Sequence, residues 1–210
     1  MVDASTFSRK ALDLIISEEG LDQPSKWPGE DSGISIGRGY DLGTVTEAEF
    51  RADWSQHLAP AVMDRLAAAI GVHGDEARQM ASRFRDIAIT AAAADAVFLT
   101  RTLPTFIERT ARAFPGAEQL PEDAFGALVS LVYNRGESLG TPGKSSWDRR
   151  SEMRGIKAIL ARGYGLQTTL DRVAILVRQM KRLWPSSAGL RARRDAEADL
   201  IENADDTSDA

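Results

Sequence analysis

A mostly helical α+β class is predicted for this chain by two observations. Apolar residues recur at helical spacing, separated by caps and breakers, in the first 19 residues and again from residue 44 almost to the end. One stretch departs from that pattern: "SGISIGRGYDLG", residues 32–43, combines weak alternation, two β-branched isoleucines and closely spaced glycines. It reads as a short strand or hairpin.

Taken in order, residues 6–19 place Phe7, Ala11, Leu14 and Ile15 on one helical face, with Ser5 and Thr6 as cap candidates and Gly20 as the stop. Pro24, Pro28, Gly29 and Gly33 make residues 21–33 a loop. After the hairpin, Thr44 with Glu47 three residues on forms a capping box for a helix to about His57. Helices are then expected over 60–70, 75–88, 90–112, 121–134, 149–162, 168–183 and 187–202, with Pro104 kinking or dividing its helix. The expected organisation is one domain with an N-terminal lobe, 1–58, a helical lobe, 59–203, and a flexible tail, 204–210.

With 210 residues the chain can bury a sizeable core. A net charge of -5 offers no global basic footprint for nucleic acid, yet a local basic cleft can still grip an anionic polymer. The absence of cysteine excludes disulfides and thiol chemistry. His57 and His73 are isolated, so no metal and no other cofactor is expected. The acidic N-terminus and its interrupted apolar run do not read as a secretory signal, and no stretch is long and apolar enough to insert in a membrane.

The chemistry concentrates in the first 45 residues. Glu19 falls at a helix C-terminus, where open carbonyls and the macrodipole disfavour further negative charge. That favours the protonated acid a glycosidase needs to protonate a leaving sugar oxygen. A second carboxylate, to activate water, can come from Glu30, Asp31 or Asp41. The same "SEEG" also suits a plain solvated helix end.

These residues resemble a known pattern. "EEG" followed by "SGISIGRGYDLG" is similar to the Glu-Gly, then Thr-Ile-Gly-x-Gly, signature of the phage-type lysozyme superfamily, and "GYDLG" resembles its pesticin-like muramidase branch. "ALVSLVYNRG" (127–136), "SEMRGI" (151–156), "LVRQMKRLW" (176–184) and "GLRARRDAEADL" (189–200) resemble later blocks of that branch, in its order. The resemblance implies a two-lobed phage-lysozyme-like fold and hydrolysis of the β-1,4 bond between N-acetylmuramic acid and N-acetylglucosamine in peptidoglycan.

By the same resemblance, Glu19 takes the general-acid place, Glu18 is its structural neighbour, and Ser35 stands where the family's Thr holds the attacking water. Asp41 matches the aspartate of "DLG" and is the first choice for the second carboxylate. The phage enzymes place that aspartate in the loop where this chain has Glu30 and Asp31, so Asp31 is the alternative. Gly37 and Gly39 would let the turn approach the sugar. Arg38 and Tyr40 are expected to face the glycan, Asn134 to bond an acetamide, and Trp27 to stack on a sugar. Arg193, Arg194 and Glu197 read as structural ion pairs on the last helix.

The expected partner is therefore the peptidoglycan strand, engaged by a monomer that binds no nucleic acid. Phage endolysins, bacteriocin killing domains and antibacterial secretion effectors share the pattern. The expected route to the periplasmic or external wall is thus holin release or specialised secretion, the latter with a secretion-spike carrier and an immunity or inhibitor protein. Two other readings are a catalytically weak wall-binding module and a lytic transglycosylase or chitinase-type activity.

Overall fold

The computed structural model describes residues 7–205. Along it run α1 (Arg9–Glu18), a β1 (Ser35–Ile36) and β2 (Tyr40–Asp41) hairpin, α2 (Glu47–Trp54), α3 (Pro60–Ala67), α4 (Gly74–Ala81) and α5 (Ala91–Val97). There follow α6 (Leu103–Ala113), α7 (Glu122–Arg135), α8 (Ser145–Arg149), α9 (Ser151–Leu160), α10 (Leu166–Gln179) and α11 (Ala188–Glu202). The described chain is mostly helical with one two-stranded antiparallel sheet, an α+β composition. Among the described residues no helix is long and apolar enough to cross a membrane.

The chain forms two compact units. One is Glu19–Leu103; the other joins the residues up to Glu18 to those from Pro104 onward. Residues 58 and 59, where the sequence suggests a division, lie inside the first unit. The reason is a shared core: Ile34, Ile36 and Leu42 of the hairpin region are buried with Phe50 and Trp54 of α2 and with Met63 and Leu66 of α3. Ala77, Phe84 and Val97 extend that cluster across α4 and α5.

Local chemistry accounts for several boundaries. The expected cap candidates Ser5 and Thr6 lie outside the described residues, as do residues 206–210 of the expected tail. Ser8 caps α1, its Oγ accepting the Ala11 N–H at 3.1 Å. The capping box of α2 is Thr46 with Glu49, not Thr44 with Glu47. The stretch "TVTEAE" carries the Thr-x-x-Glu spacing twice, and Thr44 is used instead to close the turn after β2, its hydroxyl donating to the Asp41 carbonyl at 3.0 Å.

Pro104 does divide its helix. Its ring would clash with the carbonyl four residues earlier, and a π-helical turn over Phe98–Thr102 opens the backbone there before α6 begins.

In the other unit α7 is the central element. Its residues from Ala124 to Val132 are all buried, as expected of a helix that is apolar on every side. α1 and α11 pack on it, α10 packs on α11, and α9 on α10. A Cβ at Gly126 would come within 2.4 Å of the Ala11 Cβ, so glycine here sets how closely α1 approaches α7. Between α7 and α11 the Glu197 Oε1 accepts bonds from Ser130 Oγ at 2.7 Å and Arg194 Nη2 at 2.8 Å, and faces Arg193 Nε at 3.3 Å, all buried. The structural role expected for these three charges is the one they have.

Candidate active site: a helix end, a glycine turn and three acids

Within the unit Glu19–Leu103 the hairpin turn is fastened to the segment that follows α1. Asp22 and Gly37 exchange backbone bonds, Asp22 N–H to Gly37 O at 2.7 Å and Gly37 N–H to Asp22 O at 3.0 Å. The Asp22 Oδ2 also accepts the Gly39 N–H at 3.2 Å. Gly37 and Gly39 have φ of 67° and 68°, the left-handed region that other residues adopt at a cost. A Cβ on Gly37 would also stand 2.9 Å from the Trp54 ring. Glycine is thus required by both backbone and packing.

Arg38, between the two glycines, turns inward. Its Nε pairs with Asp95 at 2.9 Å, and its Nη1 donates to the carbonyls of Glu19 and Gly20 at 3.1 and 3.2 Å. Arg38 was expected to face a glycan; its side chain is instead only 12% exposed and braces the turn against the Glu19–Gly20 segment that follows α1.

Tyr40 departs from expectation in the same way. It is buried against Trp54 in an edge-on contact, and its hydroxyl donates to Asp53 at 2.8 Å. Burial first, then the bond to Asp53, push its phenol well above the usual range. The ring is a core residue because the positive-φ turn ends one residue earlier, which points position 40 into the cluster of Ile34, Ile36 and Leu42. Trp27 is half-buried on the edge of that core, its Nε1 donating to Ser32 O at 2.9 Å, so it fastens its own loop.

Ser35 and Asp41 are direct cross-strand partners, and such partners share a face of the ribbon. Ser35 is buried and Asp41 is half-buried. The Asp41 carboxylate holds both sides of the loop base, accepting Gly43 N–H at 2.8 Å and Gly33 N–H at 3.3 Å. Asp31 is exposed; its Oδ1 lies by Gly74 at the start of α4, and its carbonyl stands 3.3 Å from His73 Nδ1. Glu30 is exposed in a turn, at φ 54°. Asn134 lies on the other unit, in the last turn of α7 before Gly136.

One acid escaped the sequence reading. Asp22 is half-buried, and its carboxyl is raised above the ordinary value, first by burial and then by the negative charge of Glu19, against the Gly39 N–H and Arg38, which lower it. The only signal for it was position, three residues after Glu19 in a stretch read as loop. Within this unit Asp22 and Arg38 thus tie the hairpin turn to the Glu19–Gly20 segment, and Ser35 and Asp41 pair across the hairpin.

Chemically the candidate groups are carboxylates, a hydroxyl and a guanidinium. Among the described residues no group of three or more His, Asp or Glu is placed to hold a metal ion. A concavity of about 450 Å³ lies on the other unit, between Lys10, Leu14, Asp123 and Leu200 among others, and contains none of the residues expected from the sequence.

Residues 21–112 match a family model described as a domain of unknown function (DUF8812). The match covers less than half the chain, holds the whole hairpin and Asp22, and follows closely the bounds of the unit Glu19–Leu103. No curated protein matches the chain.

Proposed function

We propose that the protein is a muramidase of phage-lysozyme-like, two-lobed fold that cleaves the β-1,4 bond between N-acetylmuramic acid and N-acetylglucosamine and so lyses the bacterial wall. The observation that carries this reading is the fastening of a glycine hairpin bearing Ser35 and Asp41 to the segment after α1 that bears Glu19, through Arg38 and Asp22. A glycosidase needs carboxyl groups of different character held on a rigid frame.

In this reading Glu19 protonates the leaving sugar oxygen. Asp41 takes the proton of a water steadied by the Ser35 hydroxyl, on the other face of the sugar, with inversion at the anomeric carbon when the two carboxyls stand about 6.5–9.5 Å apart. Arg38 and Asp22 act as positioning residues, keeping the turn at the helix end. Asn134 remains a proposed acetamide partner. The site of action is the periplasmic or external wall, reached by holin release or specialised secretion, with an immunity protein where the producer must protect itself.

The test is muropeptide release from purified sacculi with mass analysis of the products. Wild type is expected to give hydrated reducing ends, and Glu19→Gln to lose about 10²–10⁴-fold in rate while keeping its thermal melt. Full activity in Glu19→Gln sinks the assignment. Anhydromuramic products would indicate a transglycosylase.

One observation favours a second reading. Both Asp41 oxygens already accept backbone N–H groups, which competes with water activation and suits a wall-binding module of weak activity. That module would bind sacculi without producing new reducing ends.

A further inference from the structure

The segment from the end of α7 to α9 is held together by arginines. Arg135 Nη2 donates to the Arg149 carbonyl, Arg150 donates back to the Arg135 carbonyl, and Arg154 Nη1 bonds the carbonyls of Leu139 and Trp147 at 2.9 and 2.7 Å. None of these bonds neutralises charge. The acids of the same segment are taken by arginines from elsewhere: Glu137 pairs with Arg112, and Asp148 and Glu152 both pair with Arg182.

Among the described residues this leaves Lys144, Arg149, Arg150, Arg154 and Lys157 outside any ion pair, and Arg135 with only the longer-range attraction of Glu152. Their crowding has an electrostatic signature. Arg135 is lowered to about 10, first by burial and then by the charges of Arg150 and Arg194; Arg150 is lowered by burial and by Arg149. The Arg135 Nη1 is buried with no hydrogen-bond acceptor. Beside them Trp147 is 38% exposed, with the Arg154 guanidinium 3.4 Å over its ring. In a chain of net charge -5 this face is a local concentration of cations, most of them exposed, and so offers an anionic ligand several positive groups at once.

We propose that this α7–α8–α9 face is a second contact with the wall polymer and binds the carboxylates of its peptide stems, Arg149, Arg150 and Lys144 pairing the anions while Trp147 packs on adjacent sugar. The identity of the polymer rests on the muramidase reading. Guanidinium groups pair carboxylates through two parallel N–H bonds, and stems recur along a glycan strand, so the face grips a repeating ligand.

The experiment is co-sedimentation of the full chain with purified sacculi over a salt series, in a Glu19→Gln background so that the polymer stays intact. Lys144→Glu with Arg149→Glu, both exposed and outside the arginine–carbonyl bonds made by side chains, is expected to weaken binding by about tenfold or more. A control of equal charge change, Arg83→Glu with Arg85→Glu on the other unit, should stay within about threefold. Amidation of the stem carboxyls should abolish the difference between the 144/149 pair and wild type.

Equal losses from both pairs, undiminished binding to amidated sacculi, or binding only to sacculi that retain teichoic acid phosphates would each overturn the proposal. So would tighter binding to a DNA duplex or to phosphatidylglycerol vesicles. Its fate is separable from that of the enzymatic reading. Sacculus binding that follows the 144/149 pair in a protein releasing no muropeptides leaves the face standing and removes the muramidase, and hydrolysis with binding indifferent to that pair does the reverse.

Discussion

Two loops of this molecule are fastened by opposite chemistries. In the unit Glu19–Leu103, carboxylates accept backbone N–H groups: Asp22 takes Gly39, and Asp41 takes Gly33 and Gly43. In the other unit, guanidinium groups of Arg135, Arg150 and Arg154 donate to backbone carbonyls around the α7–α8 connection. Either device satisfies a turn's polar backbone. Each leaves a different charge behind, acids where proton transfer is proposed and cations where an anionic polymer is proposed to dock.

The contrast can be broken most severely at Glu197, the buried counter-charge of the arginine-rich unit. Glu197→Ala leaves Arg193 and Arg194 buried without it, and a loss of about 3–5 kcal/mol in denaturant unfolding is expected. Next comes Asp41. Asp41→Ala removes the acceptor of two backbone donors and should cost about 2–3 kcal/mol. Asp41→Asn keeps part of that bonding, so a folded Asn variant with lost hydrolysis separates the catalytic role from the fastening one.

Asp22→Asn should cost less than about 1 kcal/mol, because the amide oxygen can keep the Gly39 bond while burial of a charge is relieved. The sign follows from its raised carboxyl. Relative to the unfolded chain Asp22 favours folding below its ordinary value of 3.8, and that contribution is lost as pH rises through the higher folded value. The stability of wild type relative to Asp22→Asn is therefore expected to fall between pH 3 and pH 7, measured by melts at both ends; a flat difference would contradict the burial.

The smallest effect belongs to the exposed Arg65–Asp86 pair. The hydrogen bond from Arg65, made at 2.6 Å, lowers Asp86 from 3.8 to about 2. Its contribution is present above pH 3.8 and lost as pH falls through about 2. Arg65→Gln should thus matter at pH 5 and not at pH 1.5, in acid unfolding followed by circular dichroism.

Helices were legible in this sequence because their signals are local: apolar spacing, Ser and Thr caps, and glycine stops lie within a few residues of one another. Even local signals fail where they repeat, as the doubled Thr-x-x-Glu did by moving the capping box from Thr44 to Thr46. Glycines at 37 and 39 announce a turn by themselves, but pairing Glu19 with that turn came from the resemblance to phage-type lysozymes.

Where side chains pointed was another matter. Arg38 looked like a ligand contact and became a brace because Asp95 and two carbonyls, up to 57 residues away in sequence, meet it. Tyr40 became core through Trp54 and Asp53. Asp22 entered the site through a pairing with Gly37 that no spacing encodes.

By itself, then, the sequence determined the helical content, the hairpin at residues 35–41 and a list of acids, all of which depend on neighbours along the chain. Only the tertiary structure decided which side chains were tied up with distant partners, and so which charges remained: hydrogen bonds and ion pairs between remote segments are set by packing, and packing is a property of the folded chain.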